Sequence, residues 1–292
     1  MFGKKDAVTP INEIPLIARI EQLVVPPGQL ALWSLGQSGF VIKGGSTIAY
    51  IDPYLSDSGA VIGAPRRFPI PIDPAKVQHA DVVFATHEHL DHADGPTLGP
   101  LMAASPQAKL ITSPQGREIA LQADIAFERV IVPRVGERAD LAGLAYTAIP
   151  AAHGASALTG PRYVYEEDGE GHARWMGFLI SCNGVTLYHA GDTVLIPEMF
   201  TALKDQEIDI AVLPINGRDF FREQKEIVGN LWPGEAVELA VALEAKMLIG
   251  CHNDLFDGNR VNPGMLFDEL DKRAPWQRCH LLQPGELYLY AG

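Results

Sequence analysis

Residues 86–92 read Thr86-His87-Glu88-His89-Leu90-Asp91-His92, so three imidazoles and the Asp91 carboxylate follow directly on the apolar run 81–85. Imidazole and carboxylate together are ligands for divalent zinc, manganese or iron. Crowding such groups behind a buried strand forfeits their hydration, and a bound cation is a compensation that fits these residue types. The bland alternative is a histidine-rich surface loop. Position argues against it, because the group ends a strand-like run, where α/β proteins place their sites.

Three more metal-competent side chains recur in the same setting. His153 follows the run 144–149, Asp192 stands in His189-Ala190-Gly191-Asp192-Thr193 after 185–188, and His252 follows 247–251. A lone histidine at a strand end is more often a hydrogen-bonded structural residue, so none of these carries an argument singly. Four apolar strands, each followed by a short turn and such a side chain, predict several strands delivering ligands to one rim.

The elements that must do this can be read from period and punctuation. Short strands with glycine turns are expected at 30–35, 40–43 and 47–51, forming a meander. A proline-rich loop over 55–75 precedes a strand at 82–86. Helix near 96–103, strand 109–112, helix 114–123 and strands near 130 and at 144–149 then alternate. Asn183-Gly184, between strands 178–181 and 185–189, is a strong hairpin signal. Strand 210–213, helix 233–245, strand 247–251, helix 264–273 and strands near 280–282 and 287–290 complete the pattern. Residues 1–28 are expected to form an N-terminal arm with a helical piece near 16–23, and residues 29–292 a single layered domain. Strand runs mixed with strand-helix alternation predict an α/β (α+β) fold, a four-layer αββα sandwich of two mixed β-sheets.

The order His87-x-His89-x-Asp91-His92, His153, Asp192 in a Gly-Asp-Thr turn and His252 resembles the metal-ligand set of the metallo-β-lactamase fold superfamily of hydrolases. The resemblance runs from about residue 30 to residue 290. It implies two divalent metal ions per chain, one on His87, His89 and His153, the other on Asp91, His92 and His252, with Asp192 bridging. Asp52 matches the aspartate that follows an early strand of the fold and would orient a ligand histidine. A narrower resemblance is to the L-ascorbate-6-phosphate lactonase-like branch. It is carried by Leu32-Trp33-Ser34-Leu35-Gly36-Gln37-Ser38-Gly39-Phe40, His189-Ala190-Gly191-Asp192-Thr193, Pro214-Ile215-Asn216-Gly217-Arg218-Asp219 and His252-Asn253-Asp254-Leu255-Phe256. It implies a branch rather than a substrate. His89 stands where flavo-diiron oxidoreductases of this fold carry a carboxylate, which favours hydrolysis over redox chemistry. Asp192 at the bridging position, with no cysteine there, argues against a true zinc β-lactamase.

Two such ions can share a water, lower its pKa toward neutrality and present hydroxide to carbon or phosphorus. Asp91 is then a candidate proton acceptor. His189 is a candidate proton donor, with a structural histidine as the alternative. Glu88 alternates with two ligands and is expected to face away and bond locally. Arg218, Arg222, Arg162 and Arg260 are candidates for an anionic group of the substrate, because guanidinium captures phosphate or carboxylate with two parallel hydrogen bonds. For Arg218 the alternative is a salt bridge to an acidic neighbour. The expected function is a metal-dependent hydrolase opening a small ester-like substrate, with a lactone or sugar-phosphate lactone first. A small-molecule phosphodiesterase or nuclease shares the ligands, and a non-catalytic metal-binding protein is the third reading. Zn, Mn and Fe remain open.

Bulk properties narrow the partners. Against 23 Lys and Arg stand 36 Asp and Glu in 292 residues, a net charge of −13, with no basic cluster longer than Lys4-Lys5 or Arg66-Arg67. A nucleic-acid backbone would meet the wrong field. No apolar run nears the roughly 20 residues that cross a bilayer. The N-terminus lacks a signal-peptide pattern, so a cytoplasmic location is expected. Cys182, Cys251 and Cys279 form no CxxC and read as small buried residues, Cys251 close to the site. His79, His172 and His280 read as surface or packing residues, and Trp33, Phe40, Phe220, Phe221 and Trp232 as packing aromatics. A homo-oligomer remains open.

Overall fold

The computed structural model describes residues 14–154 and 163–292. Two seven-stranded mixed sheets pack face to face. The first carries β1 (Leu30–Gly36), β2 (Gly39–Gly44), β3 (Thr47–Ile51), β4 (Val82–Ala85), β5 (Lys109–Thr112) and β6 (Val130–Ile131) side by side, with β14 (Leu287–Tyr290) outside β1. The second runs β7 (Arg138–Leu141), β8 (Leu144–Pro150), β9 (Met176–Cys182), β10 (Val185–His189), β11 (Ile210–Pro214), β12 (Met247–Cys251) and β13 (Cys279–Leu281). Helices α1 (Leu16–Gln22), α2 (Gly95–Ala104) and α3 (Pro114–Gln122) cover the first sheet. Helices α4 (Pro197–Leu203), α6 (Pro233–Ala242) and α7 (Gly264–Arg273) cover the second. The four-layer αββα sandwich is therefore observed.

Period-two alternation explains the layering, since successive side chains of a strand point to opposite faces. Leu30 and Leu32 of β1, Val82 and Phe84 of β4 and Phe178 and Ile180 of β9 point between the sheets, where the Phe84 and Phe178 rings meet at 4.8 Å. Trp33, Leu35 and Val83 turn outward against Ile20, Leu98 and Leu101. Leu213 and Leu248 do the same against Met199, Leu239 and Leu266. Both faces are covered, so the central strands read as nearly continuous apolar runs.

Direction decides where the chemistry falls. Strands β3 to β6 are parallel, as are β10 to β13, and β8 points the same way as β10 because β9 is antiparallel to both. The ends of β4, β8, β10 and β12 can then share one rim of the sandwich.

The Asn183-Gly184 turn has φ of +54° and +83°, the primed hairpin geometry that this pair favours. Other elements depart from expectation. β7 carries Arg-Ala-Asp-Leu, an edge strand without apolar alternation that only its pairing with β8 defines. α4 spans seven residues and buries only Met199 and Leu203, too little to show a helical period. Inside the expected loop lie 3-10 turns at Ser58–Ile62 and Pro74–Lys76. α6 ends at Ala242, short of residue 245, where Glu244 adopts φ +51°. Phe220 and Phe221 do not pack inward: they sit 62% and 77% exposed on the four-residue helix α5 (Phe220–Glu223). Among the described residues no helix is long and apolar enough to cross a membrane.

Candidate metal centre

The rim brings together all seven expected ligands. His87, His89, His153 and Asp192 form one group, and Asp91, His92 and His252 a second, with the potential ligand atoms of each group within 4.8 Å of one another. Asp192 faces both. Its Oδ1 lies 3.3 Å from His92 Nε2 and 3.2 Å from His252 Nε2, and its Oδ2 lies 3.5 Å from His153 Nε2. His252 Nε2 also approaches Asp91 Oδ2 at 3.3 Å.

Local backbone makes this convergence feasible. The chain leaves β4 at Thr86, whose N–H and hydroxyl donate to Asp52 Oδ1 and Oδ2 at 2.7 and 2.8 Å. The same Asp52 Oδ2 is 2.7 Å from His92 Nδ1, so the carboxylate turns His92 Nε2 into the site. Gly191 holds φ +60° before Asp192, and a Cβ there would come within 2.8 Å of the Met176 carbonyl oxygen. Asp52 and His252 themselves adopt φ of +44° and +58°, as does Gln37 at +56°. Three non-glycine residues in the left-handed region around one rim mark strain that the surrounding contacts must hold.

The donors fit a divalent cation. His87 Nε2 and both ring nitrogens of His153 are buried without a well-directed hydrogen-bond partner, a costly state for polar atoms unless something else occupies them. Burial, helped by neighbouring histidines, holds His87 well below its ordinary value, and burial lowers His89 and takes His153 down to about 3. These imidazoles are neutral and ready to donate lone pairs. The second group differs. Burial would lower His92 and His252 too, but Asp192, aided by Asp91 at both and by Asp52 at His92, holds His92 well above its ordinary value and His252 at about 9. Burial would likewise raise Asp91 and Asp192, yet His92 and His252 keep both carboxyls low. Without a metal, protons on two histidines balance buried carboxylates. Cations would replace those protons.

His189 departs from the proton-donor expectation. Its Nε2 donates to the Ser38 carbonyl at 2.9 Å, while Nδ1 accepts from Gly191 N–H at 3.2 Å. With both nitrogens committed to backbone, His189 holds the turn before Asp192. Glu88 faces away from the ligands, but its bond is not local: Oε1 pairs with Arg174 at 2.7 Å, 86 residues on. Arg218 is taken by Glu235 through two bonds of 2.6 and 2.7 Å, and Arg222 by Asp219 and the Asn216 carbonyl. Both arginines brace the 216–235 turn, and for Arg218 this is the salt bridge to an acid expected as the alternative. Arg260 lines a cavity of about 180 Å³ beside His252, and its nearest acid among the described residues, Asp257, is 4.0 Å away. Arg162 lies outside the described residues. Cys251 is buried in the inter-sheet core just before His252.

Gln37 is a site residue that residue type did not single out. Its Nε2 donates to Asp91 Oδ2 at 2.8 Å and lies 3.1 Å from His252 Nε2, and its carbonyl accepts from the His252 N–H. An amide carries no metal-binding signature; the only signal was its place inside the Leu32 to Phe40 motif.

Two mixed sheets in an αββα sandwich, with seven candidate metal ligands on one rim, define the metallo-β-lactamase class of metal-dependent hydrolase. A family model described as "Beta-lactamase superfamily domain" matches residues 47–253, and the chain belongs to that family. A "UPF0173 metal-dependent hydrolase" of Sulfurisphaera tokodaii is 27% identical over 86% of this chain and 96% of its own. A protein of Escherichia fergusonii named "Probable L-ascorbate-6-phosphate lactonase UlaG" is 23% identical over 84% of this chain and 75% of its own, in line with the branch motifs. The solved structure of Igni18, a metallo hydrolase from Ignicoccus hospitalis, superposes with a TM-score of 0.64 at 20% identity, covering 90% of this chain and 98% of that one.

Proposed function

We propose that the chain binds two divalent ions and hydrolyses a small ester-like compound, a lactone or sugar-phosphate lactone foremost. The observation that carries this reading is Asp192, whose two oxygens face different ligand groups. In this reading His87, His89 and His153 hold one ion, Asp91, His92 and His252 the other, and Asp192 touches both. When bound, such ions supply an activated water and polarise the attacked carbonyl. Asp91, at the edge of the site and held ionised by its histidine neighbours, is our candidate acceptor for the water's proton. Gln37 Nε2 fixes that carboxylate at 2.8 Å. No protein nucleophile is needed, and the nearby Cys251 thiol is pushed well up by burial, which keeps it from serving as one.

The cavity of about 180 Å³ lined by Gln37, His252, Phe40, Arg67 and Arg260 supports a substrate the size of a small ring. Arg260, held only loosely by Asp257 at 4.0 Å among the described residues, is our candidate partner for an anionic substituent. The test is metal analysis followed by rates on charged and neutral lactones and on bis-p-nitrophenyl phosphate, with protein loaded with Zn²⁺ or Mn²⁺. We expect about two ions per chain and lactone opening, with Arg260→Ala raising KM for the anionic lactone alone. Cleavage of the phosphodiester without the lactones would make the chain a phosphodiesterase, and metal binding without turnover a metal-binding protein.

A further inference from the structure

The acid between the two histidines of the HxH turn is tied to a distant segment. Glu88 Oε1 accepts from Arg174 Nε at 2.8 Å and Nη2 at 2.7 Å, and Arg174 Nη1 reaches Glu166 at 3.2 Å. The guanidinium lies 4.7 Å from the Trp175 ring centre. Trp175 is buried and meets the His153 ring edge-on, at 6.3 Å and 86°. His153 in turn packs against His87 at 5.3 Å and His89 at 5.0 Å. Glu88, Arg174, Trp175 and His153 thus close a loop of contacts around the first ligand group, which meets the second through the His87 and His92 rings at 4.1 Å and through the charges of His92 and His252 felt at His153.

The chemistry gives this loop a purpose. Glu88 is a carboxylate one residue from two ligands, so an unpaired Glu88 could turn inward and compete for a cation. Guanidinium fixes a carboxylate in orientation as well as charge. We propose that Arg174 is a positioning residue for the first metal: it holds Glu88 outward, sets the spacing of His87 and His89, and backs Trp175 against His153. Resting on the dinuclear reading above, this makes the two metal sites separable. The segment entering β9 tunes one of them.

The test is titration of chelator-treated protein with Zn²⁺ against a competing chelator, resolving two binding steps. The step that His89→Ala abolishes identifies the first site. Arg174→Ala should weaken that step about tenfold to a hundredfold, the usual effect of losing a partner that orients ligands. The other step should stay within about twofold. Arg174→Lys should fall between, because an ammonium keeps the charge but not the fork. Glu88→Gln should weaken the same step, and the double variant should be no worse than the weaker single one, because the two side chains act as a pair. Glu88→Gln and Arg174→Lys also serve if Arg174→Ala does not fold. An unchanged or tightened first step in these variants, or equal weakening of both steps, overturns the positioning role while leaving the dinuclear reading intact. Wild-type protein that binds no Zn²⁺ overturns both.

Discussion

At the scale of single residues, Asp192 couples the two ligand groups, since Oδ1 faces His92 and His252 while Oδ2 faces His153. Asp192→Ala should therefore strip metal from both groups, whereas His89→Ala should strip one. Metal analysis after desalting checks this, and full occupancy in Asp192→Ala would sink the bridging assignment. Protonation gives a second expectation. His92 and His252 sit above their ordinary value, His252 at about 9 against 6.5, so at neutral pH both carry protons that an incoming cation must displace. Metal affinity should rise with pH through neutrality and level off above about 9, with proton release visible by calorimetry in buffers of differing ionisation enthalpy. In metal-free protein the sign reverses. A histidine whose folded pKa is raised lends stability that is complete below about 6.5 and lost as pH climbs through about 9. Affinity that stays flat from pH 6 to 9 would contradict this picture.

At the scale of elements, the ligands depend on turns at strand ends, and one turn fastens the edge of the fold. Asn183 occupies φ +54° in the β9–β10 hairpin, and its Nδ2 donates to the Pro26 and Gln29 carbonyls at 2.7 and 2.8 Å, tying the chain before β1 to the second sheet. Asn183→Ala removes both bonds and forces alanine into the left-handed region, for a loss of roughly 2–3 kcal/mol. Asn183→Gly should recover the backbone part alone. Denaturant unfolding of the three proteins measures the difference, and equal loss in both variants would assign the whole effect to the side-chain bonds. Buried Lys43 makes a second such tie, its ammonium donating to the Ile20 and Glu21 carbonyls at 2.7 and 2.9 Å near the end of α1.

At the scale of the whole molecule, the buried carboxylates Asp52 and Asp192 with Asp91 set an electrostatic load on one end of the sandwich. A cation that binds only the folded state adds about 2.7 kcal/mol at a free concentration 100 times its Kd. Treatment with a chelator should lower Tm, and Zn²⁺ or Mn²⁺ should restore it. A Tm unmoved by either would mean that the centre does not hold these ions. The net charge of −13 adds a separate term, self-repulsion that moderate salt should relieve with or without metal.

The sequence by itself determined the layered class and the candidate strand-end ligands, because imidazole and carboxylate are chemically distinctive and short continuous apolar runs report strands wherever burial is strong. His87, His89, Asp91, His92, His153, Asp192 and His252 were legible for that reason. β7 and α4 were not, because an edge strand and a two-turn helix bury too little to leave a pattern. Only the tertiary structure decided which groups were spoken for. Whether His189 is free or bonded to Ser38 and Gly191, whether Arg218 meets a substrate or Glu235, and whether Glu88 bonds locally or to Arg174 turns on partners 2 to 151 residues away. Gln37 entered the site the same way. Hydrogen bonds are satisfied by proximity in space, and chain order does not encode that proximity residue by residue.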